Sequence, residues 1–477
     1  MNIFKKGSLS IEKEEKNKDH NYKDKIEKQI EENLLTTPKI IRDPIHDLIK
    51  INHKLILDLL DTEPMQRLRR IRQLGVASLV YPGAEHSRFA HSLGAFHLAG
   101  RMYNQIRPER KAADYDRLVV QVAALLHDLG HGPFSHLFEA LLNELRYKYT
   151  LSHEEWSGSI VMEHEEMTKC FEEYGEEFKS DVKDVITGQF KSSLLKSIVN
   201  SQLDVDKFDY MLRDSFMTGA HYGRFDLNWM LRNMTIKNVQ MLDEDGESFG
   251  LEAIALDARR GTSALEQFLL GNLYLYNHVY YHKTVQCAEG VFIKILMRAV
   301  NLIKEGKDIG IENNVLNCIV SESKISMEDF LELNDHLILS WITFWSKNKD
   351  IDKSLHDLSL RFLSRKLLKA VKIEKVSISV YERISKRVKK ILNNNGFPPD
   401  YYFIVSDPAR VAYKKVDYGE IFLFEEENNP IRYSQINTNN HPISGAIIGP
   451  AKYEHHFIIV PKEILTEVIQ IKKEEEN

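Results

Sequence analysis

The chain has 477 residues, 43% hydrophobic and 28% charged, the balance of an ordinary soluble globular protein of two or three domains. Its formal net charge of −6 argues against a general nucleic-acid coat, because phosphate backbones draw net-basic surfaces, but leaves room for a local basic cleft that takes an anionic substrate. No apolar run approaches the ~18 residues of a membrane span, and Cys170, Cys287 and Cys318 show no CxxC spacing, so free thiols in a reducing compartment are expected.

Residues 1–36 are dominated by Lys, Glu, Asp and Asn. Such a segment buries too little apolar surface to offset its ordering entropy, so a disordered tail is expected, with a helical turn around Ile26 to Leu35. It also lacks the apolar core of a signal peptide, and a cytoplasmic location is the expectation. From Ile40 the pattern turns helical. "LILDLLDTEPMQRLRRIRQL", "LGAFHLAGRMYNQI" and "DRLVVQVAALLHDL" carry apolar residues at three- and four-residue steps. The same habit returns over Leu194 to Tyr210, Ala255 to Leu270 and Leu355 to Val371. Strand-like alternation is scarce before residue 370, except from Met234 to Leu251, where a hairpin around Asp243 to Glu247 is expected. After Val371, "EKVSISVYERISKRVKKILNNNGF" reads as one amphipathic helix whose Lys and Arg form a solvated face, the alternative being a nucleic-acid contact. The runs "DYYFIVSD", "EIFLFEE", "IRYSQI" and "HHFIIVP" read as short strands. The expected fold class is mostly α, a helical domain over 37–370 followed by a small α+β lobe over 371–477.

The chemistry concentrates in "ALLHDLGHGPFSHLF", Ala124 to Phe138. A helix leads into His127 and Asp128, and Gly130, Gly132 and Pro133 then stop it. Adjacent helical residues stand about 100° apart, so an imidazole and a carboxylate there can converge on one point between them. A divalent cation at that point would partner both, near a helix C-terminus whose dipole favours positive charge. His91 lies upstream in "SRFAHSLG", just after Arg88. Downstream, "LDVDKFDYMLRD" carries Asp204, Asp206, Asp209 and Asp214. The spacing alone leaves Asp204 and Asp206 as competing candidates.

The order His, then His-Asp, then a distant Asp resembles the HD superfamily of metal-dependent phosphohydrolases. "DPIHDLI", "MQRLRRIRQLG", "YPGAEHSRFAHSLG", "HDLGHGPFSH" and "DVDKFDY" resemble its dNTP triphosphohydrolase branch, which includes bacterial dNTPases and the vertebrate enzyme joining a SAM domain to an HD domain. The likeness runs from about Lys39 to Lys283 and implies an HD-domain helical bundle.

The resemblance implies that His91, His127, Asp128 and Asp206 ligate a divalent metal ion, Asp206 being the aspartate just before Lys207. Two imidazoles and two carboxylates suit Mn, Fe, Mg, Zn or Ni. In the family, attack at the α-phosphorus of a deoxynucleoside triphosphate releases nucleoside and triphosphate. By the same likeness His131, His136 and His153 lie near the phosphates, with His153 as the group that protonates the leaving oxygen. Arg88, Lys207 and Tyr210 contact phosphate. Gln73 and Asp214 bond the 3′-hydroxyl, and Leu74 and Tyr280 crowd C2′ against ribose. Asp61, Gln66 and Arg69 match a guanine-nucleotide effector site between subunits, which implies a homotetramer under allosteric control by GTP or dGTP. The same three residues also fit an exposed face of an amphipathic helix. One position departs from the pattern: Asn272 stands where the family carries an arginine on the terminal phosphate. That departure keeps a second reading open, an HD phosphohydrolase acting on a mono- or diphosphate, a cyclic nucleotide or a nucleic-acid end. A non-enzymatic nucleotide sensor is a third, and it leaves a complete hydrolytic metal site without a purpose.

Overall fold

A computed structural model describes residues 22–110, 113–242, 248–373, 376–413, 420–425, 429–449 and 452–476. The periodicity of the sequence becomes helix along most of this length, and the protein is mostly α. Ordered structure begins earlier than the charged composition suggests. Residues 22–32 form a helix that buries Ile26 and Ile30, and Tyr22 donates from its hydroxyl to the Tyr174 carbonyl at 2.8 Å. An antiparallel pair follows, β1 (Leu34–Asp43) and β2 (Asp47–His53). Its turn, Asp43 to His46, points polar groups at the centre of the helical domain.

Five helices frame that centre: α1 (Arg88–Ile106), α2 (Tyr115–Leu126), α3 (His136–Glu144), α4 (His153–Glu163) and α5 (Val205–Thr218). Every residue of α2 from Leu118 to Leu126 is buried, the signature of a helix enclosed on all sides. Asp204 caps α5 by accepting from Lys207 N at 2.8 Å, and Gly219, at φ 72°, closes the helix in the left-handed conformation. Asp206, Asp209, Tyr210, Arg213 and Asp214 recur at three- and four-residue steps along α5, so one face of the helix carries them all. That face packs on α1 at Gly94. A Cβ there would lie 1.7 Å from Asp209 Oδ1 and 2.6 Å from Arg213 Nη2, so only glycine admits the buried ion pair.

The expected hairpin appears as β3 (Met234–Leu242) and β4 (Ser248–Asp257), antiparallel from Met234↔Leu256 to Leu242↔Ser248. Its turn, 243–247, lies outside the described residues. Then come α6 (Ala258–Leu275), a π-helical turn over Tyr276–Tyr280, and α7 (Lys283–Lys304).

The C-terminal residues interleave with the helical part. In one sheet β11 (Phe457–Val460) runs between β5 (Lys369–Lys372) and β6 (Ile404–Ser406), so the boundary expected at 370/371 falls inside a strand. In another, β8 (Phe422–Phe424) adds parallel to β4 and carries β9 (Ile431–Arg432) on its far side. A third pairs β7 (Ala409–Val411) with β10 (Lys452–Glu454). One apolar core extends from Ile26 to Ile471. Among the described residues no helix is long and apolar enough to cross a membrane, and the three cysteines are unpaired.

Gly94→Ala is expected to lower the unfolding free energy by about 3 kcal/mol or more, because the added methyl must displace a buried, hydrogen-bonded ion pair. Urea denaturation followed by circular dichroism checks this.

Candidate active site

α1, the turn after α2, and α5 bring His91, His127 and Asp206 close enough to share an ion, with Asp128 beside them. His91 Nε2 lies 3.3 Å from His127 Nε2, 3.0 Å from Asp206 Oδ1 and 3.7 Å from Asp128 Oδ2. His127 Nε2 lies 3.3 Å from Asp128 Oδ1 and 3.7 Å from Asp206 Oδ1. Donors bound about 2.1 Å from one ion at tetrahedral or octahedral angles stand about 3.0–3.4 Å apart; the His91–His127 and His91–Asp206 separations fall in that range, so the set of His91, His127 and Asp206 could hold a divalent ion, with Asp128 at its edge. Asp204 is not part of it. Its carboxylate faces away, capping α5 and pairing with Lys207 Nζ at 2.7 Å. The geometry therefore separates the two aspartates that spacing left in competition.

Behind His91 stands Asp209, fully buried. His91 Nδ1 lies 2.8 Å from Asp209 Oδ2, His46 Nε2 lies 2.7 Å from Oδ1, and Arg213 donates twice, at 2.8 and 2.9 Å. Burial alone would raise this carboxyl, but Arg213, then His46 and His91, hold it well below the usual carboxylate range. An ionised carboxylate only accepts, so His91 must donate through Nδ1, which aims Nε2 at the cluster. On the other ligand, His127 Nδ1 donates to the Ala124 carbonyl at 2.9 Å, with the same consequence. Burial tends to lower the His91 pKa, yet Asp206 and Asp209 push it up to about 10. The cluster holds an excess of negative charge that some cation must balance, a proton or a metal.

The loop after α2 is shaped by close approach and strain. Gly130 is not in a left-handed conformation; a Cβ there would lie 2.1 Å from the His153 carbonyl and 2.5 Å from Ser157 N, so glycine lets the loop touch α4. The left-handed residues are Phe134 (φ 56°) and Ser135 (φ 60°). Asp335 holds them by accepting from Phe134 N at 2.6 Å and Arg72 N at 3.0 Å. Fully buried Arg67 donates to the carbonyls of His131 (2.9 Å) and Leu129 (3.3 Å). The loop thus turns back and starts α3 at His136.

There the second group of histidines gathers. His131 stacks on His153 at 4.0 Å between centroids and meets His136 edge-on at 4.8 Å. Glu139 accepts from His153 N and lies 2.9 Å from His153 Nδ1 and 3.4 Å from His136 Nδ1. Burial would raise this carboxyl, but the two histidines hold it well below the carboxylate range. The other His153 nitrogen lies 3.3 Å from Glu154. His131, His136, Glu139 and His153 are also close enough to share an ion.

A cavity of about 420 Å³ joins the two groups and is lined as well by Arg88, Lys207, Tyr210, Asn272, Tyr276 and Arg410. Arg88 donates to Asp128 Oδ2 at 2.6 Å and to Ser135 at 2.7 Å. A second cavity of about 350 Å³ shares Gln73, Arg88, His136, Tyr210 and Tyr276 with the first, making one cleft with two arms. The second arm gathers Leu74, Asp214 and Tyr280. Tyr280 donates to Asp214 at 2.6 Å, and His86 lies 2.8 Å from the other Asp214 oxygen. Gln73 Oε1, His131 Nδ1 and Arg410 Nε are buried without a hydrogen-bond partner among the described residues, and all three side chains line the first arm. Unsatisfied groups converging on one cavity call for partners from water or a ligand inside it.

Asp61, Gln66 and Arg69 line neither arm. Asp61 and Arg69 are exposed, Arg69 donates to Gln66 Oε1 at 2.8 Å, and its guanidinium lies 3.6 Å above the Phe89 ring.

Residues 88–214, from Arg88 on α1 to Asp214 on α5, match the family model of the HD domain. The uncharacterized protein YwfO of Bacillus subtilis is 32% identical over 90% of this chain and 94% of its own. The chain belongs to the HD-domain phosphohydrolase family. Deoxynucleoside triphosphate triphosphohydrolase SAMHD1 of Bos taurus is 29% identical over 83% of this chain and 68% of that protein. The crystal structure of a phosphohydrolase from Bacteroides thetaiotaomicron superposes with a TM-score of 0.72 at 26% identity, over 89% of this chain and all of that one.

Two outcomes are expected. Asp209→Asn weakens Mn binding by about 10- to 100-fold in calorimetric titration, because His91 loses its orienting acceptor; Asp204→Asn, which keeps the cap, changes it far less. Glu289, on α7 in the second arm, is pushed by burial up to about 8 from an ordinary 4.5, against a smaller opposing effect of Gln286. The folded state then binds the extra proton, so this group's contribution to stability falls as pH rises from about 4.5 to about 8 and levels above. The melting temperature of Glu289→Gln minus that of the wild type should grow across this window.

Proposed function

We propose that the protein hydrolyses deoxynucleoside triphosphates to deoxynucleoside and triphosphate. The observation that carries this reading is the two-armed cleft. One arm opens on the His91, His127, Asp128 and Asp206 cluster with cations and histidines around it, and the other gathers Gln73, Leu74, Asp214 and Tyr280 at the scale of a nucleoside. His91, His127, Asp128 and Asp206 would hold a divalent ion, which would supply Lewis acidity toward a phosphoryl oxygen and lower the pKa of a water.

The chain's own residues do the rest. Arg88 and Lys207, each already paired with an aspartate, present their remaining donors to the phosphates, and Tyr210 adds a hydroxyl. Gln73, with its orphaned carbonyl oxygen, accepts the one proton of the sugar 3′-hydroxyl, and Asp214, held by Tyr280 and His86, lies beside it. Leu74 and Tyr280 close the space a 2′-hydroxyl would need. His131, His136 and His153, grouped around Glu139, form the acid that protonates the leaving 5′-oxygen, with His153 as the donor. Asp61, Gln66 and Arg69 are the place for a GTP or dGTP effector in a homotetramer, a reading supported by the exposure of Asp61 and Arg69 and by the Gln66–Arg69 hydrogen bond.

Asn272 favours a second reading, hydrolysis of a nucleotide with fewer phosphates, since it brings no charge. Anion-exchange analysis of products from all dNTPs and NTPs, with Mn or Mg and with or without GTP, separates the two. Tripolyphosphate from dNTPs but not NTPs is expected; orthophosphate alone supports the second reading.

A further inference from the structure

Both ends of the Asn272 amide are engaged. Nδ2 donates to the Tyr210 hydroxyl at 2.8 Å, and Oδ1 accepts from Arg410 Nη2 at 3.4 Å. Arg410 arrives from β7, on the C-terminal side of the fold, 138 residues along the chain. Its guanidinium lies 4.0 Å above the Tyr276 ring. The strand that delivers it is anchored: Tyr281 donates to the Ala409 carbonyl at 3.0 Å, and Arg410 pairs with Tyr453 across the β7–β10 ladder.

Three fixed cations line the first arm. Arg88 is paired with Asp128 and Lys207 with Asp204. Arg410 pairs with no carboxylate among the described residues, and its Nε is buried without a hydrogen-bond partner. A stacked, half-buried guanidinium with a free donor edge is costly to leave unmatched and presents the fork geometry that suits phosphate. Arg410, Asn272 and Lys207 line the first arm and not the second, where the nucleoside readers are. Arg410 therefore lines the arm that carries the histidine-aspartate cluster and stands away from the nucleoside readers.

We propose that Arg410 binds the phosphate chain distal to the scissile bond, so that the C-terminal lobe supplies the cation that α6 does not carry. Asn272 is then a positioning residue rather than a gap in the site. An arginine at 272 would set two guanidinium groups against each other, whereas the asparagine carbonyl accepts from one and holds it. This inference rests on the dNTP reading for its substrate, but the anion site itself is testable without turnover.

The test uses Mn-loaded full-length protein, wild type, Arg410→Gln, Arg410→Lys and the charge-relocated pair Asn272→Arg with Arg410→Asn. Calorimetric binding of inorganic tripolyphosphate should weaken about 10- to 100-fold in Arg410→Gln. It should recover partly in Arg410→Lys and in the relocated pair, while binding of a deoxynucleoside monophosphate stays within about twofold. For dNTP turnover the loss should appear in KM. Tripolyphosphate binding unchanged in Arg410→Gln, or an equal loss for the monophosphate, overturns the inference. Weakened binding in Arg410→Gln together with a wild type that releases no tripolyphosphate keeps the anion site and refutes the dNTP reading.

Discussion

The histidine-aspartate cluster of the cleft leans on one buried carboxylate. Asp209 sits where α1 and α5 cross and is saturated by His91, His46 and Arg213. This single group fixes which His91 nitrogen faces the cluster, locks α5 against α1, and ties the β1–β2 turn to both through His46 and through the Arg213 bond to Asp43 at 2.8 Å. Burying such a carboxylate is tolerable only because every lone pair is used. The absence of a side chain at Gly94 is the steric condition for it. Asp206, one turn earlier on α5, then reaches the cluster from a helix whose orientation is already decided.

The charge pattern follows from the same arrangement. Carboxylates of Asp128, Asp206 and Asp209 crowd the base of the cleft, which is why His91 is pushed up to about 10 against its burial. Around them stand cations. Arg88 and Lys207 are neutralised locally, and Arg410 brings a charge from outside the HD helices. A cation-seeking base beneath an anion-seeking wall is the distribution that places a phosphate ester against a metal, and it explains how an acidic protein accommodates an anionic substrate.

Much of the site was legible because its residue types are poor core fillers. Histidine and aspartate at the end of an apolar helix demanded a partner, and the resemblance to HD phosphohydrolases supplied His91 and Asp206. The mostly helical fold and the strands flanking 243–247 were legible from periodicity. The partners that hold the site were not. Asp209 serves His91 from 118 residues away and His46 from 163, and no local pattern encodes such pairings. Arg67 and Asp335 look like ordinary polar residues of amphipathic helices until the loop 127–135 folds over them. The glycine at 130 suggested a helix stop, yet its work is close approach to α4, and the strained conformations fall on Phe134 and Ser135. The charged composition of residues 22–36 hid the apolar pair Ile26 and Ile30, four apart, that pins a helix to the core. The C-terminal strands are too short to reveal that they pair with β4 rather than only with one another.

The central claim is that His91, His127, Asp128 and Asp206 hold one divalent ion. Anomalous diffraction from crystals grown with Mn, collected on both sides of its absorption edge, tests it most directly. The account predicts one strong peak per chain bonded to His91 Nε2, His127 Nε2 and both carboxylates. A peak confined to the Glu139, His136 and His153 group, or none at saturating Mn, would contradict it.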